Sequence, residues 1–417
     1  MSVFKIIEHN IPGQHIREHP HSIKGRQEAV LQLAIKQYIP VDQSDPIPDN
    51  AVTVIGAHGN GAPKELFEPL WEQLYVYLKK CSVPLRAIWI ADVSNQGASG
   101  VLNEDIQGDT TNWYDHSRDL LHMVNHFRDE FPRPIIGVGH SMGCAQLVQL
   151  SIIHPRLLST LILFEPVIFD TSFGDFNTAK FVARRQDLWE SREKAEATLR
   201  KIQRTWDPRV VEKYLQFGLR PVPTRLYNQQ SDPNLSSSAV TLTTTRHQES
   251  WSYTLPNLEP ESAGLDRLLL PDWDPEQERP LSFSRPECLA SMRNLPFVRP
   301  SVLWVFASRS YVSAPEAQDA KMRVTGTGVG GSGGAAKGMV EKVVLDSSHV
   351  VVFEQIDKCA EVATDWIRRW FQGWLADEKV LAEYKSKRSD ADMIKASEAC
   401  LQVTRMKMFS KRPTAKM

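Results

Sequence analysis

The chain has 417 residues, 41% hydrophobic and 24% charged, with a formal net charge of −1. That length allows one large domain with insertions, or two domains, and leaves ample apolar material for a core. So even a charge gives no electrostatic reason to expect a nucleic-acid or membrane-surface partner, and no apolar run approaches the length that spans a bilayer. The first ten residues lack the basic-then-apolar design of a secretory signal. The five cysteines are odd in number, scattered and without metal-ligand spacing, so they read as reduced thiols of an intracellular protein.

In chain order, Ala51 to Ala57 reads as a buried strand that ends in His58-Gly-Asn-Gly-Ala-Pro63. Lys64 to about Lys80 is predicted helical, because Leu66, Phe67, Leu70, Leu74 and Leu78 recur on one face. Leu85 to Ala91 is the next strand, followed by the loop Asp92 to Ser99 and a second helix from Asn112 to Phe131. His116, His122 and His126 fall on that helix. No suitably spaced carboxylate or thiolate accompanies them, so they read as structural and no metal is expected.

Pro134 to Val138 feeds Gly139-His-Ser141-Met-Gly143, and a helix follows over 143–152. An apolar strand, then Gly-x-Ser-x-Gly, then a helix is the nucleophile elbow, which makes Ser141 the candidate nucleophile. A serine hydrolase also needs two backbone N–H groups aimed at the developing oxyanion. One belongs to the residue after the nucleophile, Met142. The other comes from the loop after an early strand, which points to Asn60, with Gly61 second. The strand Leu161 to Phe164 then ends in Glu165-Pro166. Strands alternating with helices predict an α/β fold with a mostly parallel sheet flanked by helices.

Between 171 and 298 the alternation stops. Asp187 to Trp206 and Asp207 to Leu215 are predicted helical, and 231–260 is rich in Ser, Thr, Asn and Pro. An insertion at this place reads as a largely helical cap, with Phe169, Phe173 and Trp206 as candidates for its substrate pocket. The strand that starts at Ser301 is followed by Ser308-Arg309-Ser310, where many such enzymes carry their acid. The acid is therefore assigned to Glu165, at the end of its own strand, with Asp170 as the alternative. His349 follows a strand and a short loop and precedes an apolar helix start, which suits a general base. Thr325 to Gly338 lacks the Gly-Lys-Ser/Thr ending of a phosphate loop and leads into a strand. It reads as a flexible linker, and no cofactor is called for. The last three residues, Ala415-Lys416-Met417, are small, basic and apolar beside a terminal carboxylate, a variant of the Ser-Lys-Leu address read by the peroxisomal import receptor.

Together, His58-Gly-Asn-Gly61, Asp92 with its Gly97-x-Ser99 loop, Gly139-His-Ser-Met-Gly143, the acid before Pro166 and His349 resemble the fungal α/β-hydrolases of secondary metabolism. That group includes hydrolases of mycophenolic acid-CoA and of AK-toxin biosynthesis. The resemblance covers about 50–170 and 300–375. It implies the α/β-hydrolase fold, an acid at Glu165 where members usually carry aspartate, and hydrolysis of a bulky acyl-CoA thioester through an acyl-enzyme in the peroxisome. A lipase or carboxylesterase of the same fold, or a non-catalytic binding protein, are the alternatives. The expected layout is 1–170 for the first half of the core, 171–298 for the cap, 299–376 for the second half, and 377–417 for a helical extension and targeting tail. That extension is free to dock on the body or on a second subunit, which leaves a homodimer open.

Overall fold

The computed structural model describes residues 2–171, 173–174, 176–254 and 282–405. At its centre is an eight-stranded sheet. In chain order its strands are β1 (Phe4–Pro12), β2 (Gln32–Pro40), β3 (Val52–Ala57), β4 (Leu85–Ala91), β5 (Ile135–His140), β6 (Thr160–Phe164), β7 (Ser301–Ala307) and β8 (Val340–Leu345). Their spatial order is β1-β2-β4-β3-β5-β6-β7-β8. β1 pairs antiparallel with β2 and β2 antiparallel with β4, and every later pairing is parallel. The mostly parallel sheet expected from the sequence is therefore present, with an antiparallel edge that the strand–helix alternation does not announce.

β3, β5, β6 and β7 are buried along their whole length, which is why they read as unbroken apolar runs. The edge strands β1 and β8 expose charged residues, Lys5 and Glu8 on the first and Lys342 on the second, which blunts an open sheet edge. Trp89, Ile55, Leu163, Trp304 and Phe306 from the sheet pack with Trp113, Met123 and Leu147 from the flanking helices into one core. β3 lies between β4 and β5, so the β3–β4 connection runs one way along the sheet and the β4–β5 connection runs back past β3, which opens a crevice at the carboxyl ends of the strands. The loops after β3, β5, β6, β7 and β8 meet at that edge.

Several boundaries differ from the sequence reading. The first predicted helix is a 3-10 turn, Lys64–Phe67, followed by the α-helix Glu68–Lys80, whose first turn holds Pro69. The second helix ends at His126, and only a short 3-10 turn, Arg128–Glu130, follows. In the cap, Leu188–Trp189 is a strand, because Trp189 pairs with Val240; the helix starts at Arg192 behind its cap Ser191. The cap thus carries a small antiparallel sheet (Leu188–Trp189, Val240–Leu242, Leu219–Pro221) among its helices. The glycine-rich linker is not slack. Gly326, Gly328 and Ser332 donate their N–H groups to the carbonyls of Leu295, Pro296 and Val298.

The chain divides into two compact units, Met1–Trp366 and Ile367–Met417. The second begins upstream of the 377 boundary read from the sequence, and a helix over Ile356–Ser386 runs through the division. Among the described residues, no helix is long and apolar enough to cross a membrane. Ala415, Lys416 and Met417 lie outside the described residues.

Candidate active site

β5 ends at His140, and the chain turns through Ser141 at φ 56° and ψ −118° into the helix Met142–Ile153. A non-glycine residue in that region is strained by roughly 1–3 kcal/mol. The strain is held by bonds on either side: Ser141 N–H donates to the Phe164 carbonyl (3.0 Å), and Val167 N–H donates to the Ser141 carbonyl (3.3 Å). Gly143 lets the turn approach β3, since a Cβ there would stand 2.2 Å from the Ala57 carbonyl oxygen.

His349 Nε2 lies 2.9 Å from Ser141 Oγ, and its Nδ1 lies 3.1 Å from Glu165 Oε2. Glu165 is fully buried at the end of β6, with φ 50°. Its other oxygen, Oε1, accepts from Ala307 N–H (2.5 Å) and from Ser313 Oγ (2.7 Å), so the carboxylate is fixed from both sides. Asp170, the alternative acid, is exposed and makes no bond to His349 among the described residues. Where an acid follows β7 in other hydrolases, Arg309 here pairs with Asp346 at the surface. The loop that presents His349 is anchored by Glu354, whose Oε2 accepts from Ser347 Oγ (2.6 Å) and Ser348 N–H (3.0 Å).

As the first residue of its helix, Met142 has no intrahelical acceptor for its N–H. In the loop after β3, Gly61 N–H is taken by Gln96 Oε1 (2.8 Å), which leaves Asn60 as the better second oxyanion donor. The Asn60 side chain is held too: its Oδ1 accepts from Gln96 Nε2 (2.7 Å) and its Nδ2 donates to the Glu249 carbonyl (2.9 Å). Gln96 also reaches Ser252 Oγ at 3.0 Å, tying the loop to the cap. Gln96 sits in the loop after β4 that the sequence singles out, but no spacing marks this residue within it. Ser313 had no sequence signal at all.

Three histidines around the site are structural. His58 is fully buried; its Nδ1 donates to the Gly59 carbonyl (2.8 Å) and its Nε2 accepts from Val93 N–H (3.0 Å), so it is neutral and joins the loops after β3 and β4. His140 Nε2 donates to the His349 carbonyl (2.9 Å), and burial, helped by the nearby His349, pushes its pKa down to about 3. His116, whose ring is tilted 57° to that of His58 with centroids 6.2 Å apart, is also pushed down to about 3 by burial. Asp92 is buried and holds Lys64 through its backbone N–H (2.9 Å) and its ammonium (2.7 Å). That ion pair fixes the start of the segment after the oxyanion loop.

A cavity of about 230 Å³ opens onto Ser141 and His349. Trp206 lines it, as expected. Phe169 stands one layer back, against Phe176 and Phe283, which do line it. The Phe173 side chain lies outside what is described. The arrangement can deprotonate a serine hydroxyl beside a largely apolar pocket and offer two N–H groups to an oxyanion.

The chain is 38% identical over 387 residues to the type I acyl-CoA thioesterase mpaH' of Penicillium brevicompactum, covering 88% of each chain. It is 28% identical over 240 residues to the abhydrolase domain-containing protein AKT2 of Alternaria alternata, covering 57% of this chain and 84% of that one. Its fold is similar to that of the peroxisomal alpha-beta-hydrolase Lpx1 from Saccharomyces cerevisiae, with a TM-score of 0.67 at 17% identity over 93% of this chain and 99% of that one. The alpha/beta hydrolase family pattern matches residues 54–363. An elbow serine on a mostly parallel sheet and this agreement over most of the chain make the protein an enzyme of the alpha/beta hydrolase family.

Proposed function

We propose that the protein is a serine hydrolase that cleaves an acyl-CoA thioester through an acyl-enzyme. The observation that carries this is the unbroken chain from Ser141 Oγ to His349 to the buried Glu165. Ser141 Oγ attacks the thioester carbonyl carbon while its proton passes to His349 Nε2. The negative charge that develops on the carbonyl oxygen falls to the N–H groups of Met142 and Asn60. Collapse breaks the carbon–sulfur bond, and the leaving thiolate takes the proton from His349. Water, deprotonated by the same imidazole, then attacks the acyl-enzyme and releases the free acid and Ser141. Glu165 keeps the imidazole in the tautomer with Nδ1 protonated throughout.

Identity to a named acyl-CoA thioesterase over 88% of both chains supports sulfur rather than oxygen as the leaving atom. The terminal Ala415-Lys416-Met417 supports delivery to the peroxisome by its import receptor. The test is a panel of acyl-CoAs and matched p-nitrophenyl esters against the purified protein and Ser141→Ala. The substitution should cost on the order of a million-fold in turnover with the fold intact. Turnover of esters but of no acyl-CoA would move the assignment to a carboxylesterase.

A further inference from the structure

The cavity beside Ser141 has two chemically different walls. Phe176, Trp206 and Phe353 make one of them apolar. The other is built by three separate pieces of the cap: Arg185, just after the helix Asn177–Arg184; Gln203, just after Arg192–Ile202; and Glu249, within Arg246–Trp251. Gln203 and Glu249 are each 5% exposed. Gln203 Oε1 meets no donor among the described residues, and Arg185 Nε meets no acceptor. Arg185 and Glu249 form an ion pair, so that wall has no net charge.

A buried donor or acceptor left without a partner costs roughly 1–3 kcal/mol. A pocket meant only for a hydrocarbon chain would gain by lining this wall with leucine. Resting on the acyl-transfer reading above, the geometry points to Arg185, Gln203 and Glu249 as a polar subsite that selects acyl groups bearing a neutral oxygen function, a hydroxyl above all. A hydroxyl can donate to Gln203 Oε1 or accept from Arg185 Nε, whereas a plain chain leaves both unmet. A carboxylate gains little, because Glu249 already offsets the Arg185 charge. The aromatic wall takes the hydrocarbon part of the same group.

The experiment compares kcat/KM for hexanoyl-CoA, its hydroxyhexanoyl-CoA regioisomers and adipoyl-CoA. At least one regioisomer should exceed hexanoyl-CoA by about tenfold or more, with adipoyl-CoA showing no such gain. Gln203→Met keeps the size of the side chain and removes the acceptor. It should bring that ratio to within about twofold. Because the ratio is taken on one protein preparation, a partly misfolded variant does not distort it, and Gln203→Leu provides a second reading. Equal kcat/KM for all the neutral substrates in the wild type, or an unchanged preference in both variants, overturns the subsite. Binding of the same esters to Ser141→Ala, read by calorimetry, gives the ratio without turnover. Preference in binding with no hydrolysis by the wild type would keep the subsite and sink the hydrolase reading. Hydrolysis with no preference would do the reverse.

Discussion

Glu165 is one methylene longer than an aspartate would be, and it sits at a positive φ at the end of its strand. That conformation turns the carboxylate so that Oε1 can take the Ala307 N–H and the Ser313 hydroxyl while Oε2 faces His349. Glu165→Gln keeps the shape but cannot hold an imidazolium. Its kcat should fall by about 10³–10⁴-fold, while Asp170→Asn stays within about twofold. Steady-state kinetics on both variants checks this, and the reverse ranking would make Asp170 the acid. A second prediction concerns protons rather than turnover. His140 and His116 each have a folded pKa near 3 against an ordinary value of 6.5, both because burial disfavours the charged ring. Below 6.5 the unfolded chain binds protons at these rings and the folded chain does not. Their contribution is therefore complete above pH 6.5 and is lost as pH falls toward 3. At pH 4 each should have cost about 3 kcal/mol relative to pH 7. Urea unfolding at the two pH values measures it, and His116→Phe should make the acid loss shallower.

At the scale of elements, the elbow and the oxyanion loop depend on each other through close backbone approach. Gly143 brings the first turn of the helix Met142–Ile153 against Ala57 at the end of β3, and the oxyanion loop starts at the next residue. Gly143→Ala would force a Cβ into a carbonyl oxygen that has no room to retreat within a fully buried sheet. We expect a loss of several kcal/mol, about 3 or more, seen as a lower thermal midpoint and little soluble protein. The cap segment 244–252 is equally bound to the core. Thr244 Oγ1 accepts from Gly97 N–H (2.8 Å), the Gln248 carbonyl accepts from Asn95 (3.1 Å), and the Ser252 carbonyl accepts from Trp113 Nε1 (3.0 Å). The same segment holds the loop after β3 directly, since the Glu249 carbonyl accepts from Asn60 Nδ2 (2.9 Å).

For the whole molecule, strand order does the assembling. Parallel strands send their following loops to one edge, so residues as far apart in the chain as Asn60, Ser141 and His349 share one crevice, with Glu165 buried behind His349. The proposed role of the carboxyl end, as an address, stands apart from that assembly. A fluorescent protein ending in Ala415-Lys416-Met417 should form peroxisomal puncta in a fungal cell. Removing those three residues from the enzyme should leave it diffuse, with unchanged activity in vitro. Diffuse full-length protein with a free carboxyl end would refute the address and weaken the case for a CoA ester over a simple ester.

The local chemistry of this chain is written in short runs of sequence. Gly139-His-Ser-Met-Gly143 identifies the elbow because only small residues fit a turn that tight, and the apolar runs of β3, β5, β6 and β7 identify buried parallel strands because both their faces are covered. The missing carboxylate after β7 is also legible, and it directs attention to Glu165. Other features depend on neighbours distant in sequence and leave no periodic trace. Leu188–Trp189 is a strand only because Val240 lies beside it; local propensity there favours a helix, and cross-strand bonding overrides it. Gln96 could not be told from its loop neighbours until the fold carried it to Gly61, Asn60 and Ser252 at once. The polar wall of Arg185, Gln203 and Glu249 comes from three cap segments whose meeting depends on packing alone. Sequence fixes the reactive groups because their backbone demands are local, whereas the surroundings that choose a substrate arise from long-range contacts that fold the chain back on itself.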